Sequence, residues 1–436
     1  MVSDCVPGNH LNSKNADSAR SVAYEAFVEI NRRGGYSNIL LPKLLTNSKL
    51  DRRDRAFVTE LVYGATRMIG RNDYIAAKLS KIAWTEVDPE IIDSVRLGAY
   101  QILDMRTPAH AAVSATVEVA KKYIGQSRAS FVNAILRRIS EKSLAEHLID
   151  APDDARYSHP NWIISAYKDL IKDQNELVEL LECNNSPTKP TLVAWPTKSL
   201  QSELPGNPTK YSPYGVHSIV VPQEIDAIRN RSAGVQDEGS QLVAIGFAKS
   251  ASLQPWLDLC AGPGGKAALL SYLDPAPLYA NEISKIRSDL IKQVVRADSI
   301  IWTGDGRDIS DHKISFGSIL ADVPCTGLGA LRRRPEVRWR RNPSDLPALT
   351  KLQFELSCAA IENLKPGGLF AYATCSPHLA ETAAQKIAIL KRYPELELIK
   401  VDLAPELLSP DGTLQLWPHR HDTDAMYLAL FRKRLD

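Results

Sequence analysis

The sequence predicts a multidomain protein: an all-α domain first, then a small mixed α+β segment, then an α/β domain on a doubly wound parallel sheet. Three observations carry this. Apolar residues recur at helical spacing, with no convincing period-two stretch, until past residue 140. Beyond residue 256 short apolar runs alternate with helical stretches, the pattern of a parallel sheet with helices on both faces. The chain has 436 residues, 44% hydrophobic and 24% charged, which is too long for one ordinary domain and ample for sizeable cores.

Residues 1–16 are polar and read as a loose tail. From about Asp17 four apolar stripes follow: Val22, Ala23, Ala26, Phe27 and Ile30; Phe57, Leu61, Ala65 and Met68; Ile92, Val95, Ala99 and Ile102; Val113, Val117 and Ala120. They define a helical domain over 17–141. A less regular helical stretch, 142–183, leads to the turn formers of 184–190, read as a linker. Thr191–Trp195 and Ser218–Pro222 read as strands of a small segment, so that 142–235 is expected to form linker helices and a small α+β RNA-binding segment. The α/β domain occupies 236–436, with strands expected at Trp256–Leu259, Leu278–Glu282, Ser299–Thr303, Ser318–Asp322, Leu369–Thr374 and Met426–Phe431. Helices are expected at Ser284–Arg296 and Leu349–Leu364.

Composition excludes several classes. A net charge of +2 supplies no global field for a polyanion, although local clusters can still do so. The first residues lack a basic start followed by an apolar stretch, so no signal peptide is expected, and no apolar run approaches the length of a membrane span. Six widely spaced cysteines do not resemble a disulfide framework and point to a reducing cytoplasm. The tight pair His419 and His421 lacks further evident ligands, so no structural metal is expected.

In a doubly wound sheet the ligand lies beyond the carboxyl ends of the strands. Ala261-Gly-Pro-Gly-Gly-Lys266 falls there, after the first strand. Its glycines permit positive φ and close backbone approach, and the helix that follows offers free N–H groups. The spacing matches neither the P-loop nor the G-x-G-x-x-G pattern. Glu282 closes the second strand, where a carboxylate can accept from ribose hydroxyls, and Asp305 closes the third, where it can accept from an adenine amino group. Each can equally cap a turn; three such loops at successive strand ends favour a nucleotide-like cofactor.

Two cysteines share that edge, Cys325 in Ala-Asp-Val-Pro-Cys-Thr-Gly and Cys375 in Ala-Thr-Cys-Ser-Pro-His. A reactive thiolate needs its pKa lowered by loop N–H groups or cations, and a strand-end loop can provide them. Cys358 sits among Leu356, Ala359 and Ile361 and reads as a core residue; Cys260 lines the glycine turn; Cys5 and Cys183 have no motif around them.

At these residues the chain resembles the RsmB/Sun (NOL1/NOP2) family: Asp258-Leu-Cys-Ala-Gly-Pro-Gly-Gly-Lys266, Ala321-Asp-Val-Pro-Cys-Thr-Gly327, Arg332-Arg-Arg-Pro-Glu-Val-Arg-Trp339, Tyr372-Ala-Thr-Cys-Ser376 and Gln236-Asp-Glu-Gly-Ser-Gln-Leu242. Residues 17–141, with Asp51-Arg-Arg-Asp-Arg-Ala-Phe57 and Phe131-Val-Asn-Ala-Ile-Leu-Arg-Arg138, resemble the NusB fold. The resemblance implies a NusB-like RNA-binding domain joined to a Rossmann-like class I S-adenosylmethionine-dependent methyltransferase domain. It implies methylation of carbon 5 of a cytosine in 16S ribosomal RNA; a monomer is expected because nothing in the sequence demands more. By the same resemblance Cys375 is the nucleophile, Cys325 assists release, and Asp322 bonds the cytosine edge. Cys260, Ala261, Gly262, Pro263, Gly264, Gly265, Lys266, Glu282, Asp305 and Asp322 form the cofactor contact set, with Arg287 a further candidate.

The six arginines between Arg332 and Arg341, with Trp339 among them, read as phosphate contacts beside a base site, and Arg52, Arg53, Arg55, Arg137 and Arg138 extend a basic surface. Thr191-Leu-Val-Ala-Trp195 lacks the Arg and Asn that members of the family often carry in that strand, and Trp417–Tyr427 keeps part of the family pattern. Two alternatives remain open on residues alone: a non-catalytic RNA-binding assembly factor, and a thiolate-dependent 5-methyluridine enzyme.

Overall fold

Helix formation in the first part of the chain follows from the apolar stripes and from local stop signals. The computed structural model describes residues 19–435; the polar stretch 1–16 and Cys5 lie outside them. Helices α1 (Ala19–Asn31), α2 (Ser37–Asn47), α3 (Arg52–Arg67), α4 (Ile69–Leu79), α5 (Pro89–Leu103), α6 (Ala109–Ile124) and α7 (Gln126–Ser140) follow in order. The Asp51 carboxylate caps α3 by accepting from Asp54 N at 2.8 Å, and Asp88 with Pro89 starts α5. Gly125, at φ +86°, separates α6 from α7. Val22, Ala23, Ala26, Phe27 and Ile30 are buried, as are Leu61, Ala65, Val95, Ala99, Val113 and Ala120; Phe57, Met68, Ile92, Ile102 and Val117 are half-buried at the margins of their stripes. No strand precedes Thr191 among the described residues.

The chain divides into two compact units between Ser158 and His159. The second unit begins with helices α8 (Asn161–Leu170) and α9 (Gln174–Asn185). Helix α9 runs through Asn184 and Asn185, which the sequence assigns to a linker. Asn184 is buried because its amide reaches Tyr167 and its carbonyl receives Arg338.

A four-stranded sheet follows, in the order β2-β3-β1-β4, with β1 Thr191–Ala194, β2 Gly206–Pro208, β3 Gly215–Ser218 and β4 Ala233–Val235. The apolar run Ser218–Pro222 is therefore not a strand beyond Ser218. The Ser218 hydroxyl donates to Val220 O and turns the chain, leaving Ile219 and Val221 exposed. Strand β1 is buried on both faces. Leu192 and Ala194 pack with Leu204, Val216 and Ile225 inside the small sheet. Val193, with Trp195 just beyond the strand, packs into the large core with Leu242, Phe247 and Leu269.

Helix α10 (Glu238–Ser250) leads into the large sheet: β5 Trp256–Asp258, β6 Leu278–Glu282, β7 Ile300–Thr303, β8 Phe316–Asp322, β9 Leu364–Thr374, β10 Leu396–Ile399, β11 Leu414–Gln415 and β12 Tyr427–Lys433. The order is β10-β12-β9-β8-β5-β6-β7, with β11 beside β12. Strands β5 to β9 pair in parallel and β12 runs antiparallel to β9 and β10. All six strands expected here exist; β10 and β11 do not stand out in the sequence. Helices α11 (Gly265–Leu273), α12 (Lys285–Ile291), α13 (Leu346–Glu362) and α14 (Ala383–Arg392) lie between the strands. The two large cores carry opposite sets of strand residues, Ala371 and Ala373 in one and Phe370 and Tyr372 in the other. The strand order reverses between β5 and β8, which opens a crevice at their carboxyl ends. No helix among the described residues is long and apolar enough to cross a membrane.

Candidate active site

The glycine turn between β5 and α11 is shaped for close approach. Gly262 has φ +57° with nothing within 4 Å of where a Cβ would stand, and Gly264, at φ +100°, precedes the first turn of α11. Gly262 N donates to Glu282 Oε2 at 2.9 Å and Ser284 N to Oε1 at 2.9 Å, so Glu282 is fixed against the turn with little exposure. Arg287 also pairs with Oε1 at 2.6 Å. Asn281 faces elsewhere: its amide bridges Leu259 O and Gly304 O, at 3.2 and 3.1 Å, tying the ends of β5 and β7 together.

Asp305, expected near an adenine amino group, caps the turn after β7. Its carboxylate accepts from Arg307 N at 3.0 Å and pairs with the Arg307 side chain, which holds it below the ordinary carboxylate range. Arg307 also reaches Glu355 at 2.8 Å. The capping role is thus realised, and one face of the carboxylate is occupied.

Lys266 connects the cofactor turn to the thiol loop. Its ammonium lies 2.6 Å from Asp322 Oδ2, at the end of β8. Burial works against that charge, yet Asp322 raises the Lys266 pKa above its ordinary value. Below it Asp258 is fully buried, and neither of its oxygens makes a hydrogen bond of normal geometry among the described residues. Burial, then the neighbouring Asp322 charge, pushes the Asp258 carboxyl up to about 7. The sequence quotes Asp258 within a motif without giving it a role.

Cys325 Sγ and Cys375 Sγ are 3.3 Å apart, at the ends of adjacent strands β8 and β9. Both are free thiols, half-buried. The contact couples the two thiols: the hydrogen bond from Cys375 draws Cys325 below the ordinary thiol range, while the same bond and burial push Cys375 well above it. The fixed charges divide: Asp322 opposes a thiolate on either sulfur and Glu381 opposes one on Cys325, while Arg334 favours one on Cys375. Cys260 is raised by burial and by the surrounding carboxylates, an unreactive setting; Cys358, on α13, packs against the core.

Behind the thiols lies a buried polar network with no marker in the sequence. Glu381 accepts from Thr326 N at 2.8 Å, from Thr326 Oγ1 and from Gln353 Nε2 at 3.0 Å. Tyr372 OH donates to Glu381 O at 2.7 Å, and Thr326 Oγ1 meets Ser376 Oγ at 3.0 Å. Each cysteine's neighbour is thus pinned to the other's. Gly329 makes a second stitch: its N–H donates to Cys375 O and its carbonyl accepts from Ala425 N, both at 2.9 Å.

Much of the arginine run has partners within the protein. Arg332 pairs with Asp422 at 2.8 Å, and Arg333 with Asp237 at 2.7 Å and with Asp424. Arg338 is fully buried, bonded to Asn185 Oδ1 and Asn184 O, and Arg341 donates to Thr326 O and Cys325 O. Glu336 is buried with them. A run of cations in sequence looks solvated, but buried acceptors from distant segments meet it here. In the first unit Arg138 caps a helix by donating to Leu79 O at 2.7 Å, whereas Arg52, Arg53, Arg55 and Arg137 are exposed.

The histidines near the end of the chain are structural. His419 bonds Glu176 at 2.9 Å, and His421 Nδ1 accepts from Trp417 N. Among the described residues no group of three or more His, Cys, Asp or Glu is placed to hold a metal.

Comparison with known proteins gives consistent likenesses. The family model described as 16S rRNA methyltransferase RsmB/F matches residues 249–432, and the NusB family model matches residues 17–141. A putative methyltransferase, Rv1407 of Mycobacterium tuberculosis (strain ATCC 25618 / H37Rv), is 40% identical over 447 residues, covering 96% of this chain and 97% of that protein. The probable ribosomal RNA small subunit methyltransferase B of Bacillus subtilis (strain 168) is 27% identical, covering 96% and 99%. The crystal structure of PH0851 superposes with a TM-score of 0.79 at 22% identity, covering 95% of this chain and 99% of that one, a likeness of fold.

Proposed function

The chain belongs to the RsmB/F family of methyltransferases, and from that premise we propose that it methylates carbon 5 of a cytosine in 16S ribosomal RNA, using S-adenosylmethionine and a covalent adduct between Cys375 and carbon 6. The observation that carries this reading is the thiol pair, 3.3 Å apart, beside a carboxylate that Lys266 ties to the glycine turn. The turn fits the cofactor. Gly262 leaves space where a side chain would stand, Glu282 presents a fixed carboxylate to ribose hydroxyls, and buried Asp258 with half-buried Asp322 suits a cationic ligand. When bound, S-adenosylmethionine supplies an electrophilic methyl group on its sulfonium.

The chain's own residues supply the rest. Carbon 5 of cytosine is a poor nucleophile until a thiolate adds at carbon 6. The Cys375 proton passes along the short contact to Cys325, and the Cys375 sulfur bonds carbon 6 while the ring's π pair moves toward carbon 5 and N3. Asp322, held by Lys266, accepts from the amino group on carbon 4 of the cytosine, and the Lys266 ammonium beside it offsets the negative charge that addition develops. Once carbon 5 carries the methyl group, Cys325, having lost its proton to solvent, takes the carbon 5 proton. The carbon 5–carbon 6 double bond then reforms and the Cys375 sulfur leaves as thiolate. The pair ends as it began, with one proton and one charge, and one proton is released to solvent per methyl transferred.

Residues 17–141 are assigned to RNA binding and the cytoplasm, where ribosomes assemble, is the expected compartment. Cys375→Ala is expected to reduce methyl transfer to a 16S ribosomal RNA fragment to below about a thousandth, the order of loss seen when a nucleophile is removed; retained activity overturns the assignment. Cys325→Ala is expected to trap a covalent protein–RNA species on a denaturing gel, and its absence counts against the release role. Bisulfite sequencing of ribosomal RNA from cells lacking the gene identifies the base.

A further inference from the structure

Beside the catalytic edge lies a cavity of about 280 Å³, bounded on one wall by Lys189, Asn207 and His217 of the small sheet and its approach, and on the other by Arg332, Arg333 and Asp422. We propose that it receives one single-stranded nucleotide flanking the target cytosine, an inference that rests on the RNA-methylation reading above.

Position along the sheet is the first argument. The cofactor turn and Glu282 stand at the ends of β5 and β6, and the thiols stand at the ends of β8 and β9. Asp422 lies just before β12, whose first residue, Tyr427, pairs with Thr374 next to Cys375. The cavity is therefore on the far side of the thiols from the cofactor, about 5 Å per strand position along the edge. Gly329, bonded to both Cys375 O and Ala425 N, joins the thiol loop to the segment that leads into the cavity wall. A strand of RNA with its target base at Cys375 would enter this cavity with the next nucleotide.

The second argument is chemical. The side chains of Lys189, Asn207 and His217 have no hydrogen-bond or ion-pair partner among the described residues, although three polar groups converge on one cavity. On the opposite wall Arg333 is held by Asp237 and Asp424, which also line the cavity, and Arg332 pairs with Asp422, whose side chain is 70% exposed. An ammonium and a guanidinium suit a phosphate, and an amide and an imidazole suit a base edge. The volume is just below the ~300 Å³ lower end of ligand pockets, enough for one nucleotide unit and not for a folded element. Thr191, the first residue of strand β1, lines the same cavity.

The full chain and the Lys189→Ala/Asn207→Ala/His217→Ala variant are compared on one 16S ribosomal RNA fragment, by filter-binding Kd, kcat, KM and S-adenosylmethionine affinity. Fragments with 4-thiouridine one to three nucleotides on either side of the target are photo-crosslinked and mapped. The expected result is an RNA Kd and KM raised at least about tenfold, the scale of one lost base contact, with kcat and cofactor affinity held within about twofold. Crosslinks are expected on the peptides carrying Lys189, Asn207 or His217. An unchanged RNA Kd, or crosslinks that avoid all three peptides, overturns the proposal. Lys189→Ala alone, at an exposed position, replaces the triple variant if the latter fails to fold. If the parent chain methylates no RNA, the functional reading fails, and Kd and crosslinks alone decide the cavity's role.

Discussion

Lys266 and Asp258 show how a few side chains set the chemistry of the crevice. Lys266 is the ammonium between Asp322 and the buried Asp258, so Lys266→Met leaves two carboxylates without their cation. Breaking a buried pair in this way is expected to cost about 3 kcal/mol in urea unfolding; a loss below 1 kcal/mol would show that water already screens the pair. Asp258 gives a pH signature. Its folded pKa, about 7, is above the ordinary 3.8, so unfolding releases a proton between those values. Stability from this group is fully present below pH 4, falls as pH rises to 7 and is flat above. Asp258→Asn is expected to flatten that slope and to gain on the order of 2 kcal/mol at pH 8, after the cost of an unpaired amide. Unfolding curves at pH 5 and pH 8 decide it, and an unchanged slope refutes the buried-carboxyl account. Cys325, Cys375, Glu282 and the glycine turn were legible because each closes a strand with a residue type unusual in a core. Glu381, Gln353 and Arg338 were not, because a buried polar residue has the same letter as a surface one and its partners are distant in sequence.

Among elements, the loop after β8 depends on Gly329. A Cβ there would stand 2.0 Å from Ala425 O and 2.8 Å from Cys375 O. Gly329→Ala must therefore move the backbone that positions Cys375. Methyl transfer should fall at least about a hundredfold, as misplacement by about 1 Å can cause, while cofactor affinity, set at β5 and β6, stays within about threefold. Equal loss of both would mean a general collapse of the domain. The segment Gln236–Leu242 has a comparable structural task. Glu238 Oε1 accepts from Tyr211 N and Ser212 N at 2.6 and 2.7 Å, Gln241 bridges Ser212 Oγ and Leu192 O, and Asp237 holds Arg333. A single stretch of chain thus fastens the small sheet to the start of α10 and to the thiol loop. The alternation of strands and helices from 256 onward was readable from period and length. The short strands β2, β4 and β11, of two or three residues, fall below any periodic signal.

At the level of the whole molecule the small sheet and the methyltransferase sheet lie in the same compact unit, His159–Asp436. Val193 and Trp195 are buried in the large core, and Glu238 and Gln241 are buried against the small sheet. A chain starting at 236 is therefore expected to expose that surface and to aggregate, or to unfold without cooperativity, whereas one starting at 159 folds. Thermal unfolding of the two truncations is the check, and a cooperative 236–436 fragment would refute the coupling. By itself the sequence determined the order of helical and α/β parts, the cofactor turn and both thiols, because these depend on local periodicity and on residues next to one another. Only the tertiary structure decided that the thiols touch, that most of the arginine run is held internally, and that Lys189, Asn207 and His217 meet Arg332 and Asp422 around one polar cavity. Those facts depend on which distant segments meet, and charge and hydrogen bonding act through space, not along the chain.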